Sequence, residues 1–297
     1  MKKLLTIAAI AAAVLSLASC KKDGKNDKKE TGGVDVASKN LVAYLPLDSE
    51  DNLVKLGDLS GGEIGGDAVI SEEGFRGGCF QNAAGDIENP AFLAFDIPST
   101  FLSKLSSFTV TAWINTPVQR GGILTFDGGT DANWGAWDLF LDGGDDEGTI
   151  LKGYFFNTTS EWGGFFPQYK GLEVAQNKWI QVAYTYNEND SWANLYVNGV
   201  LVGSVDEESG NILGTNHCWA GPADDAGNQD ELGKLTLPEV SRMYIGAFAS
   251  RETGMSSESW LSYFAGKIDE IRIFNKGLSA KEVNALYKAE VQVSDID

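Results

Sequence analysis

Histidine is nearly absent from this 297-residue chain, with His217 the only one, and cysteine and methionine occur three times each. A zinc site built on histidines, or a serine-histidine triad, therefore has little material to work with. Positive charge is also scarce. From Leu41 onward 15 Lys and Arg face 38 Asp and Glu, a balance that repels nucleic acid and anionic lipid at neutral pH. Neutral glycans, cations and basic proteins remain as partners. The longest apolar stretch, Leu4 to Leu17, falls short of the roughly 20 residues that span a bilayer. Neither an internal repeat nor a second domain is visible, and about 250 residues with this apolar content suffice for one large core.

Residues 1–19 have the parts of an export signal: Lys2 and Lys3, then the apolar run, then small residues. The ending Leu17-Ala18-Ser19-Cys20 resembles the lipobox of bacterial lipoproteins, which implies cleavage before Cys20, a lipid on its thiol, and a place in the cell envelope. The outer membrane is the expected location, with surface exposure left open. Residues 20–39 are rich in Lys, Asp, Gly and Asn, cannot repay the entropy of ordering, and are expected to be a disordered tether. A coil of that length holds a domain about 25 Å from its anchor on average and about 65 Å at full stretch. The folded domain is expected over residues 40–290, with 291–297 as a tail.

Period-two alternation marks the strands. Phe108, Val110, Ala112 and Ile114 form one face, and Thr109, Thr111 and Trp113 the other. Similar runs recur along the chain, separated by Gly, Asp and Asn. Asn198-Gly199 between Leu195-Tyr196-Val197 and Val200-Leu201-Val202 predicts a type I′ hairpin, because those two residues tolerate the positive φ angles it needs. Many short strands without alternating helices indicate an all-β fold of two packed antiparallel sheets. One short helix is expected near the C-terminus, where Ser279 and Glu282 form a capping box ahead of Val283, Leu286 and Tyr287.

Several segments occur in a telling order: Leu41 to Asp48, Asp58-Leu59-Ser60-Gly61, Ser107 to Ile114, Trp179 to Tyr186, Leu195 to Gly199, Gly266 to Phe274, and Leu278 to Val283. Together they resemble bacterial laminin-G-like, or pentraxin-like, jelly rolls of the concanavalin A-like kind. The resemblance covers Leu41 to Tyr287 and implies a two-sheet jelly roll, often with a structural calcium ion and often attached to glycan-binding or glycan-degrading machinery. It further implies a calcium ligand at the Asp of Gly-x-Ile-Asp-Glu, here Asp269, and Asp48 after the first strand is a second, weaker candidate. Calcium takes six to eight oxygens, and this fold brings first and last strands together.

Glucan-cleaving enzymes of this fold resemble one another in carrying Glu-x-Asp-x-x-Glu on one strand, a pattern missing here. The adjacent acids Asp269 and Glu270 are expected to point to opposite faces of a strand. With Cys20 acylated, Cys79 and Cys218 are the pair available for a disulfide, the alternative being two buried free thiols. Between Asp127 and Lys170 aromatic residues crowd. Trp134 and Trp162 sit beside glycine in loop-like stretches and are the leading sugar platforms, with Trp137 and Tyr169 in reserve and Trp137 equally readable as core. A ring stacks on the C–H face of a sugar while nearby polar groups bond its hydroxyls. Three functions stay open: a lipid-anchored glycan-binding protein, an adhesion or assembly subunit that contacts a cell-surface protein, and a carboxylate-dependent glycoside hydrolase.

Overall fold

A computed structural model describes residues 31–128, 134–144, 148–161, 163–205 and 212–294. Residues 1–19, Cys20 and Trp162 lie outside the described residues. Two antiparallel sheets pack face to face as a sandwich. The first runs Val200–Leu201, Trp192–Val197, Ile180–Asn187, Phe108–Asn115, Lys267–Phe274, Cys79–Asn82, Ala68–Ser71. Leu41–Leu45 also pairs with Lys267–Phe274, and Thr215–His217 with Trp192–Val197. The second runs Gly164–Phe165, Gly148–Phe156, Trp137–Gly144, Gly121–Phe126, Arg242–Ile245, Ala91–Asp96, Ser60–Gly66, with Gln168–Leu172 paired to Gly148–Phe156.

Alternation explains the core. Phe108, Val110, Ala112 and Ile114 all point into it, while Trp113 leaves on the far side and stacks on Phe75 at 3.5 Å. Each large apolar side chain buried this way contributes about 1.5–3 kcal/mol. The hairpin forms as its sequence requires, with Asn198 at φ 49° and Gly199 at φ 73°. The C-terminal helix spans Ala280–Ser294, capped reciprocally by Ser279 N–H on Glu282 Oε2 (3.0 Å) and Glu282 N–H on Ser279 Oγ (3.4 Å). It therefore extends into the expected tail, and Val293 packs against the apolar cluster beneath it. A second, four-residue helix, Ala249–Glu252, was not foreseen.

Three further expectations are corrected. Residues 31–39 are not solvated tether: Val34 is buried with Leu41, Tyr44 and Phe274 under the helix, and the carbonyls of Thr31 and Gly32 accept bonds from Arg272 and Arg76. Cys79 and Cys218 are both buried free thiols. The strands that carry or adjoin them lie five strand spacings apart in the first sheet, roughly 24 Å, beyond the reach of a disulfide. Trp137 is 1% exposed and meets Phe108 and Phe126 edge-on, at 5.5 and 5.8 Å. It is core, as the inward alternation of Trp137, Leu139 and Leu141 dictates, and has no surface to offer a sugar.

Candidate functional site

The outer face of the second sheet carries the residues that the core does not use. From Trp137–Gly144 these include Asp138, Phe140 and Asp142, and from Gly148–Phe156 Lys152, Tyr154 and Phe156. A segment after the strand Arg242–Ile245 folds back over this face. It is fixed where Thr125 Oγ1 donates to the Ala247 carbonyl (2.9 Å) and accepts the Ala249 N–H (2.9 Å). Phe248 and Leu261 of that segment close the bottom of a small apolar cluster with Phe140 and Tyr154.

On top of this cluster lies a surface of half-buried rings. Trp134 sits 5.3 Å from Phe140, 5.6 Å from Tyr154, 5.2 Å from Phe166 and 5.0 Å from Trp260. Phe166 is 38% exposed, and Trp134, Phe156 and Trp260 are partly so. Ring-ring packing of this kind fixes the side chains before any ligand arrives, which lowers the entropy cost of binding. The ion pair of Lys152 Nζ and Asp142 Oδ2 (2.6 Å) lies on the same face, and Gln168 pairs with Lys152 across the strands. The site thus combines flat apolar area with hydrogen-bonding groups.

Asp138 lies beneath this surface. Its Oδ2 accepts the Gly135 N–H at 2.9 Å, while Oδ1 has no protein partner. Full burial pushes its carboxyl up to about 8, the single Gly135 bond opposing the rise. Asp138 is therefore protonated at neutral pH.

Trp134 is the sequence candidate that the structure brings to this surface. Tyr169 packs instead against the main core, opposite Leu151 on the neighbouring strand. Tyr154, Phe156 and Phe166 were legible only as crowding. Their common face follows from strand alternation once the register is known, but Trp260 comes from a distant loop that no local pattern links to them.

Asp48 and Asp269 flank one loop. Arg76 N–H donates to Asp269 Oδ2 (3.0 Å), and a Cβ placed on Gly77 would fall 2.4 Å from Asp48 Oδ1. A bulge between Asp269 and Arg272, with Glu270 at φ 51°, breaks the alternation expected of Asp269 and Glu270. Both acids turn toward Arg76, whose Nη2 lies 3.1 Å from Glu270 Oε1. Burial, then the charge of Glu270, raises the Asp269 carboxyl well above the usual range, and burial followed by Glu270 also raises Asp48. The oxygen chemistry of the two acids suits a hard cation, although Asp269 already accepts the Arg76 and Glu270 N–H groups and Asp48 the Asn52 amide. Among the described residues no group of three His, Cys, Asp or Glu forms a metal cluster, so carbonyls would have to complete any cage.

No curated protein sequence matches the chain. Among solved structures, the binding domain of botulinum neurotoxin serotype G is similar at 15% identity and a TM-score of 0.52, covering 85% of this chain and 51% of its own. The receptor-binding domain of the botulinum neurotoxin C/D mosaic serotype is similar at 13% identity and a TM-score of 0.51, over 84% and 51%. This chain spans about half the length of those domains. Domain 4 of an extracellular arabinanase from Geobacillus stearothermophilus, in complex with arabinotriose, aligns at 17% identity and a TM-score of 0.48, over 84% and 98%. Residues 93–242 match the laminin-G type 3 model, and the chain belongs to the concanavalin A-like lectin/glucanases superfamily.

Proposed function

We propose that this chain is a glycan-binding protein of the cell envelope, held by a lipid on Cys20 and taking sugar on the outer face of its second sheet. The observation that carries this reading is the preset ring surface of Trp134, Phe166 and Trp260, with Lys152, Asp142 and Gln168 on the same face. A sugar needs both kinds of partner, rings for its C–H face and polar groups for its hydroxyls. The anionic chain favours a neutral glycan.

The way the N-terminal segment docks supports an outward presentation. Residues 31–40 lie on the outer face of the first sheet, beneath the C-terminal helix and on the layer opposite the ring surface. Eleven residue steps lead from Cys20 to Thr31 across the ten residues between them, a reach of about 35–40 Å at full stretch. A lipid-held chain would then be attached on the layer opposite its rings, with a reach that leaves both layers open to glycan. A structural calcium ion held by Asp269 and Asp48 belongs to the same reading, supported by their hard-oxygen chemistry and by the burial of Asp269, whose charge a cation would offset.

A glycan-array measurement on the soluble chain tests the proposal, followed by titration of the best ligand against Trp134→Ala, Phe166→Ala and Trp260→Ala. Each should weaken binding about tenfold to a hundredfold, the scale of 1–3 kcal/mol for one large side chain. Wild-type affinity in all three variants would show that the rings only pack.

A further inference from the structure

A second ring surface lies on the other sheet. Trp192 stands directly opposite His217 across paired strands, and both side chains leave the sandwich on the outer face because Ala193 and Leu195 fill the core. The indole and imidazole stack with centroids 4.6 Å apart and planes 12° from parallel. His217 also meets Trp219 at 3.8 Å. Glu231 fixes the imidazole through a 2.8 Å contact between His217 Nε2 and Glu231 Oε2, and the backbone of Glu231 bridges to that of Trp219. Trp192 is 38% exposed, although the same outer face is elsewhere covered by the C-terminal helix and residues 31–40.

We propose that Trp192, His217 and Trp219 form a second sugar platform, one that takes a neutral β-gluco-configured pyranose chain. The reading goes beyond the site on the second sheet and stands on different residues. A pyranose with all hydroxyls equatorial presents axial C–H groups on both flat faces, an apolar area that matches an indole, and its hydroxyls project from the rim. Trp192 supplies the stacking plane. The half-exposed Glu231 carboxylate supplies an acceptor beside it, since His217 engages only Oε2. Asp190, whose Oδ1 accepts the Trp192 backbone N–H at 3.3 Å, adds a second acid at the rim. These charges and the formal net charge of −19 disfavour uronates and sulfated glycans. They also disfavour a protein partner, because a protein hot spot desolvates its centre and here would bury carboxylates with it. With platforms on opposite layers of the sandwich, one chain is able to bridge two glycan strands.

His217 is the only histidine, so its imidazole NMR signals report on this site alone. Titrating the full chain with cellohexaose, and separately with laminarihexaose, should shift those signals to a saturating value. Trp192→Ala should weaken that titration at least tenfold, and Trp134→Ala should leave it unchanged. Imidazole signals that stay still at saturating concentrations of both probes overturn the proposal, as does a folded Trp192→Ala variant that titrates like wild type. The wild-type titration needs no variant to fold. Failure of the second-sheet site would show separately, as wild-type affinity of the array-selected glycan for all of Trp134→Ala, Phe166→Ala and Trp260→Ala, a readout independent of the His217 signals.

Discussion

Arg272 and Glu290 meet at 2.6 Å in the fully buried space between the first sheet and the C-terminal helix, joining a strand to a helix turn 18 residues later. The same carboxylate accepts Trp113 Nε1 (2.7 Å) and Gln181 Nε2 (2.5 Å), so three donors from three strands converge on one helix residue. Arg272 is shared in turn with Glu270 at 2.9 Å and lies over the Tyr44 ring at 4.2 Å.

Truncating this pair should be costly, because removing Glu290 takes away one of the two carboxylates that balance buried Arg272 and leaves Trp113 Nε1 and Gln181 Nε2 without their acceptor. Glu290→Ala is expected to lose about 3–5 kcal/mol in urea denaturation. A loss under about 1 kcal/mol would mean that apolar packing alone holds the helix.

Asp138 gives stability a pH dependence of definite sign. An unfolded aspartate titrates near 3.9, and the native carboxyl near 8. Below about pH 4 both states are protonated and the group costs nothing. As pH rises toward 8 the unfolded state sheds its proton while the native state keeps it, so stability falls across that window and levels off above it. Asp138→Asn mimics the protonated acid and should flatten this part of the slope. Identical slopes for wild type and variant, measured by melting from pH 5 to 9, would contradict the buried carboxyl.

Gly32 tests whether the segment before the first strand is part of the domain. It sits at φ +63°, and an added Cβ would fall 2.4 Å from Tyr44 Oη and 2.5 Å from Arg76 Nη2. Gly32→Ala should therefore destabilise by about 1–3 kcal/mol. A solvated tether would not register the change.

Calcium binding predicts a mass-action effect. With the ion at about a hundred times its Kd, the native state gains about 2.7 kcal/mol, so chelation should lower the melting temperature and Asp269→Asn should abolish that response. If neither treatment alters the calcium dependence of melting, the two acids are structural only.

Lipidation predicts that wild-type cells yield a mature chain beginning at Cys20 with an acyl mass, and that Cys20→Ala moves the chain out of the membrane fraction or leaves it uncleaved. Mass spectrometry finding another N-terminus without acyl mass would end the assignment.

Local patterns in the sequence determined the local structure. The alternation of Phe108 to Ile114, the Asn198-Gly199 turn and the Ser279–Glu282 capping box each depend on neighbours a few residues apart, and each forms as read. The two-sheet fold follows from their number and order. Burial of Trp137 was likewise implied by its own strand, which made it core rather than platform. Tertiary structure alone decided the rest, because it sets distant groups in contact. Polar composition hid the docking of residues 31–39, whose backbone carbonyls find Arg76 and Arg272, 44 and 241 residues away. A bulge whose positive φ falls on a non-glycine residue turned Asp269 and Glu270 toward one arginine against the expected alternation. Trp134 gained its neighbours Phe166 and Trp260, and Trp192 its neighbour His217, only through strand register and loop return. Periodicity can say that a ring faces outward, but which other rings share that face is fixed by the order of strands in the sheet.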